Sequence, residues 1–336
     1  MRKKTFLSGF TALIAIMFLL SACSSQQATT EAATATNKTK VGIVLSDIGL
    51  GDQSYSDAAF RGLIKARNEE SIIFDYKEIS QTKTYDEAFN QLTKENNDVI
   101  IGLGYIMKDS LEKAAKANPN KQFIIVDETS ELPNVASITF KEEEGSFLAG
   151  AVAAMASKSN RIGFIGGVES PLLHKFQSGF EQGARSIHSD ISFVTNYTGD
   201  FGNPALGSKA AKDMIENDNV DVIYTVAGLT GVGALQEAQT QGKYAIGVDS
   251  DQFFVAEKAV LTSMIKNVDV ALYSALQSFA KNNHTFKDKD MVFGLTDDGV
   301  GLTDIHVIQL TAEQQKQLEE LKQKLISGEI KIDLNS

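Results

Sequence analysis

The stretch "VGIVLSDIGLGDQSYSDAAFRGL", Val41 to Leu63, holds three things in succession. An apolar run of strand length stops at Asp47, a polar glycine-rich loop follows, and a helical pattern begins at Tyr55. Within that pattern Ala59, Leu63 and Ala66 share one face, with Arg61 and Lys65 off it. A strand, a loop and an amphipathic helix are the first half of a βαβ unit. The loop also carries carboxylates, hydroxyls and an aromatic ring, which is more chemistry than a connection needs.

Working outward, the alternation continues with little interruption. Short apolar runs predict strands at 40–45, 72–79, 98–103, 122–127 and 135–140, and again at 161–166, 191–197, 221–227, 244–249 and 260–265. They are rich in β-branched residues and lack polar alternation, the pattern of parallel strands buried on both faces. Amphipathic stretches lie between them. Thr84 and Glu87 form a T-x-x-E capping signal, "GSFLAGAVAAMAS" is apolar nearly all round, and "TAEQQKQLEELKQKLIS" reads as a surface helix. The series runs twice, with "FKEEEG" between the halves, so the expected fold is α/β with two doubly wound parallel-sheet lobes. A ligand then belongs in the cleft between them, at the C-terminal ends of the strands.

The N-terminus carries a different signal. Residues 1–22 have a basic start (Arg2, Lys3, Lys4), an apolar run and small residues before Cys23, the layout of a secretory signal peptide. The run is too short for a comfortable membrane span. "LSAC" resembles a lipoprotein lipobox, in which Cys23 is acylated and anchors the protein to the outer face of the cell membrane; two acyl signals suffice for stable anchoring. As the sole cysteine, Cys23 excludes an intrachain disulfide. Residues 23–39, small and polar, read as a flexible tether. The formal charge is −11, and removal of the three basic and no acidic residues of 1–22 makes it −14. Such an acidic chain is a poor partner for nucleic acid, whose binding rests on phosphate neutralisation.

The strand ends collect the polar residues. Asp47, Asp52, Tyr55 and Ser56 follow the first strand, and Asp127 ends the fourth. "GDFGNP" with Phe201 and "AGLTGVG" with Gly228 follow strands of the second half, where Asp249 and Lys266 end two more. Carboxylates accept hydrogen bonds from hydroxyls and amines, Lys266 donates, and Tyr55 and Phe201 offer flat apolar faces. The inventory suits a flat, uncharged, hydrogen-bond-rich ligand such as a nucleoside. Each residue also has a plainer reading: strand-end aspartates cap helices, rings plug loops, and a glycine-rich segment turns a chain. Their common edge argues for a site.

Other chemistries fail on specifics. "GLGDQS" lacks the third glycine of a dinucleotide fingerprint, and "GLTGVG" lacks the Gly-Lys-Ser/Thr of a P-loop. There is no G-x-S-x-G elbow, and Ser110 to Lys113 match S-x-x-K without its companion motifs. His174, His188, His284 and His306 have no metal-ligand spacing. No catalytic constellation, metal site or cofactor is expected.

With "DIGLGDQSYSDAAFRGL", "FIIVD", "EEGSFLAGAVAAM", "RIGFIGGVESPLLHKFQSGFEQGAR", "GDFGNPALGSKAA", "AGLTGVG", "IGVDSDQ" and "LTSMIKNVD" in hand, the chain resembles the basic membrane protein family of lipoprotein purine-nucleoside receptors, from about Lys40 to Leu302. The resemblance implies a type I periplasmic-binding-protein fold with a three-segment hinge. The first lobe would comprise 40–138 plus about 267–288, the second 139–266 plus about 289–336. It further implies a purine nucleoside held between the lobes and delivered to an ABC permease and its ATPase. Tyr55 and Phe201 match the stacking aromatics, Asp127 would address the base edge, and Asp249 and Lys266 the ribose, helped by backbone near Gly228. Asp47 and Asp52 match acidic positions of the first loop. Two departures stand out: the family's Asp-x-Ser-Phe-Asn is "DQSYS" here, placing Ser56 where an amide is usual, and Leu229 replaces a glycine. A sugar-like ligand, or a signalling role on the same fold, is the alternative.

Overall fold

In the computed structural model, residues 38–334 are described, so the expected signal peptide, Cys23 and most of the tether lie outside the described residues. Two six-stranded sheets organise the chain. The first contains β1 (Thr39–Val44), β2 (Ile72–Lys77), β3 (Val99–Leu103), β4 (Gln122–Val126), β5 (Val135–Phe140) and β11 (Asp290–Phe293). Its order is β11-β5-β4-β3-β1-β2, all parallel. The second contains β6 (Arg161–Gly166), β7 (Ser192–Tyr197), β8 (Val222–Val226), β9 (Tyr244–Asp249), β10 (Val260–Lys266) and β12 (Val300–Leu302). Its order is β12-β10-β9-β8-β6-β7, and only β12 runs antiparallel to its neighbour.

Helices cover both faces. The first lobe carries α1 (Tyr55–Glu69), the short α2 (Ile79–Thr82), α3 (Tyr85–Lys94) and α4 (Lys108–Ala117). The second carries α5 (Glu142–Ala156), α6 (Pro171–Arg185), α7 (Pro204–Asp218) and α8 (Gly228–Thr240). The chain then returns to the first lobe as α9 (Val268–Lys281), which packs on α1, and finishes with α10 (Ala312–Ile326) against α5. β3 and β8 are buried at every residue, as strands sandwiched between helix layers must be. Ala59, Leu63 and Ala66 of α1 are completely buried, and the Thr84 hydroxyl accepts from the Glu87 amide.

The chain crosses between sheets three times, at Phe140–Glu142, Lys266–Val268 and Phe293–Val300. The last crossing comes later than the boundary near 289 expected from sequence, because Asp290–Phe293 pairs in parallel with β5 of the first sheet. The crossings also brace one another. The Lys141 amide donates to the Phe293 carbonyl at 2.9 Å, and the Asn267 amide to the Gly299 carbonyl at 2.8 Å.

Close helix packing sets what faces the cleft. A Cβ on Gly150 of α5 would lie 1.9 Å from the Phe180 carbonyl, and one on Gly183 of α6 would lie 1.9 Å from that of Phe147. Only glycine permits this approach of two backbones. A Cβ on Gly179 of α6 would likewise meet the Glu143 carbonyl in the first turn of α5 at 2.3 Å, and Glu142 of that turn reaches Lys175 of α6 at 3.4 Å. A Cβ on Gly233 would similarly meet the Pro204 carbonyl at 1.9 Å, locking α7 to α8.

Candidate functional site

The loop after β1 is tied to itself. The Asp52 carboxylate accepts from the amides of Ser54, Ser56 and Asp57 at 2.7–3.2 Å, satisfying the open N–H groups at the start of α1. Asp57 accepts from the Gly51 and Gln53 amides, and Glu78 from that of Leu50. Asp52 is buried, and burial, partly offset by those amides, raises its pKa. It borders the cleft as expected, but its oxygens serve the helix.

Because Asp52 supplies the cap, the Ser54 hydroxyl is released from that duty. It donates instead across the cleft to Asp249 Oδ2 at 2.5 Å. Ser250 Oγ returns a bond to the Ser54 carbonyl at 3.2 Å, the Arg61 guanidinium donates to Ser250 Oγ at 3.1 Å, and the Gln252 amide reaches the Gln53 carbonyl at 3.3 Å. The start of α1 is thus fastened to the loop after β9.

A cavity of about 110 Å³ lies between the lobes, lined by Asp47, Asp52, Tyr55, Asp127, Phe201, Gly228, Asp249 and Lys266, with Ile106, Leu172 and Phe176 among its apolar walls. Eight of the nine residues singled out from sequence therefore meet at one place. Ser56 does not: it is fully buried, with its hydroxyl 2.6 Å from that of Ser46. Helical geometry turns it inward, behind Tyr55.

Lys266 Nζ forms the floor. It lies 2.7 Å from Asp127 Oδ1 and 3.1 Å from Glu142 Oε1, with the rings of Phe140, Tyr55 and Phe176 at 5.0, 5.3 and 5.6 Å. Its side chain is 2% exposed. Burial alone would lower its pKa, but the charges of Asp127, Glu142 and Asp249 override that and hold the ammonium firmly protonated. Glu142 also reaches Lys175 Nζ at 3.4 Å. Sequence reading missed Glu142, which sits in "KEEEG" among acidic neighbours and looks like a solvated helix start.

Asp127 and Asp249 both adopt left-handed backbone, with φ of 68° and 64°, which turns each side chain out of its strand at the sheet edge. Asp residues tolerate this conformation better than most. Asp249 has no ion pair at contact distance among the described residues, and its pKa is pushed up to about 6: burial raises it, Lys266 and the Ser54 hydrogen bond lower it, and Asp52 and Asp127 add repulsion. At the mouth, burial also raises the pKa of Asp47, and the charge of Asp200 on the opposite lobe adds to it.

Phe201 is held by its surroundings. A Cβ on Gly167 would fall 2.2 Å from its ring, and its carbonyl accepts from the Thr230 amide at 2.9 Å. Gly228 takes φ +54° as the chain turns into α8. The glycines of "AGLTGVG" thus have separate reasons, a positive φ at Gly228 and helix contact at Gly233. Among the described residues no cluster of His, Cys, Asp and Glu could hold a metal, and no helix is long and apolar enough to cross a membrane. The cavity thus brings two aromatic side chains, Tyr55 and Phe201, together with four carboxylates and one ammonium.

Comparison with known proteins agrees with this architecture. The family described as ABC transporter substrate-binding protein, PnrA-like, matches residues 38–336. A CD4+ T-cell-stimulating antigen of Listeria monocytogenes is 32% identical, the alignment covering 99% of both chains. Basic membrane protein A of Borreliella burgdorferi is 33% identical over 88% of each. Among solved structures, an ABC transporter solute-binding protein of Aeropyrum pernix superposes with a TM-score of 0.79 at 26% identity, covering 87% of this chain and 92% of that one.

Proposed function

The chain belongs to the PnrA-like family of ABC transporter substrate-binding proteins, and from that premise we propose that it captures a purine nucleoside between its lobes and delivers it to a membrane permease. The family is one of solute-binding proteins, not enzymes. The observation that carries the ligand class is the convergence of two aromatic side chains, Tyr55 and Phe201, from opposite lobes on one cavity whose charged groups are mostly carboxylates. Stacking would hold the base, at about 1–3 kcal/mol per base. Asp127 and Asp249 would accept from its N–H and hydroxyl donors. The excess of carboxylate over ammonium disfavours a phosphorylated ligand.

Ligand would add contacts between lobes already fastened by Ser54 and Asp249, and the three crossings would act as the hinge between open and closed forms. Cys23 would carry the lipid that keeps the protein on the extracytoplasmic face, with residues 23–39 as leash. Cys23→Ala should then release it from membranes with affinity intact; persistent membrane association would defeat that reading.

The deciding experiment is mass spectrometry of ligand released from the purified protein, followed by calorimetry against guanosine, inosine, adenosine, cytidine, uridine and ribose. A purine nucleoside should bind, and Phe201→Ala should weaken it by about 1–3 kcal/mol. Silence across the panel from folded protein would sink the nucleoside reading in favour of another small ligand.

A further inference from the structure

Two buried carboxylates meet the ammonium of the cleft floor, and they differ in what else they can reach. Asp127 Oδ1 lies 2.7 Å from Lys266 Nζ, and Asp127 also borders the cavity and has the Tyr55 hydroxyl as a neighbour. Glu142 Oε1 lies 3.1 Å from the same Nζ. The Glu142 side chain is only 1% exposed and does not line the cavity. Its other oxygen, Oε2, meets Lys175 Nζ of α6 at 3.4 Å. Glu142 therefore acts on lysines from behind the cavity wall, where a ligand does not reach.

One carboxylate is enough to neutralise Lys266. A second, held out of water on a cation already shared, costs stability unless it serves something else. Its place in the fold supplies the reason. Glu142 closes the first crossing between sheets and Lys266 opens the second, so their ion pair lies within the hinge, on the side of the second lobe. Asp127 stands on the other lobe, just after β4. Ligand donors would draw on the Asp127 oxygens, and the ammonium then keeps its place through Glu142.

We propose that Glu142 is a positioning residue: it fixes the Lys266 ammonium at the cavity edge, so that Lys266 and Asp127 both turn to the ligand instead of to each other. This rests on the nucleoside reading above, together with the role at a ribose hydroxyl that the family resemblance gives Lys266. With Glu142 made neutral, Lys266 is left to Asp127, and the ligand has to compete with that pair.

The test uses full-length protein freed of co-purifying ligand, as wild type, Glu142→Gln, Lys266→Met and the double variant. Calorimetry measures whichever of guanosine, inosine and adenosine binds the wild type most tightly, together with its 2′-, 3′- and 5′-deoxy forms. Glu142→Gln should bind the parent about five- to tenfold more weakly. In the Lys266→Met background the same change should matter less than about twofold, because Glu142 acts through the lysine. The loss should also shrink for the one deoxy form that lacks the hydroxyl Lys266 holds, and persist for the other two. That comparison needs no Lys266 variant and decides the matter if Lys266→Met does not fold. A purely structural glutamate would lower the melting temperature and weaken all the analogues alike, or none of them. Unchanged affinity for the parent, the same loss in both lysine backgrounds, or an equal loss across the deoxy series overturns the proposal. Wild type that binds none of the three parents fails the nucleoside reading instead.

Discussion

Asp127 and Asp249 occupy equivalent places in the two sheets. Each follows or ends the third strand of its six-strand order, each has a left-handed backbone, and each borders the same cavity. Their electrostatic situations diverge. Asp127 lies 2.7 Å from a buried ammonium, whereas Asp249 has a serine hydroxyl at 2.5 Å and no cation in contact among the described residues. A repeated fold therefore supplies two matching backbone positions, and the cross-lobe neighbours decide what each carboxylate does. Asp127 helps hold the floor together; Asp249 remains charged near neutral pH at the expense of stability.

The largest expected effect tests the floor. Lys266→Met would leave Asp127 and Glu142 buried without their shared cation, and urea denaturation should show a loss of about 3–5 kcal/mol. A loss below 1 kcal/mol would mean that the floor is wetter than the packing indicates. Asp249 should behave in the opposite sense. Its folded pKa of about 6 stands above the ordinary value of 3.8, so its favourable contribution is complete below about pH 4 and lost as pH rises through about 6. Asp249→Asn, which tolerates the same φ, should be more stable than wild type at pH 7.5 by up to about 3 kcal/mol. The gap should close in melts below pH 4, and nucleoside affinity should fall.

Asp127→Asn should destabilise, by about 1–3 kcal/mol, because Lys266 keeps only Glu142 as a full charge partner. A shared sign for the two Asp→Asn changes in denaturation at pH 7.5 would break the contrast. The smallest effect sharpens it. Ser54→Ala removes one hydrogen bond across the cleft and should cost about 0.5–1.5 kcal/mol, while α1 keeps its Asp52 cap. Loss of that bond should also move the acid limb of the Asp249 pH profile upward, which pH-dependent melts would detect.

Much of this was legible in sequence because parallel strands buried on both faces are written as uninterrupted apolar runs. The ten runs identified by that pattern all became strands. β11 and β12 escaped because they are short, peripheral and surrounded by Asp and Gly: "DMVF" and "VGL" do not rise above their flanks. Strand-end position brought eight of the singled-out residues to the cavity, yet it could not distinguish a carboxylate that caps a helix, Asp52, from those whose oxygens are not spent on one. Nor could it show that Ser56 points inward, one residue along the helix from Tyr55. Glu142 was hidden by composition, since a buried glutamate beside two others is indistinguishable from a solvated run until its cation, distant in sequence, is folded against it.

The self-tied loop of residues 46–57 has a thermodynamic consequence. Most of its backbone amides near the cleft already have acceptors within the first lobe, so ligand does not have to freeze a disordered segment. Ordering a flexible loop on association commonly costs about 0.5–1.5 kcal/mol for each rotamer-rich side chain immobilised. With that cost met during folding, the entropy of capture falls mainly on the ligand and on the relative motion of the lobes. Affinity differences among related ligands should then appear chiefly in how slowly each one leaves.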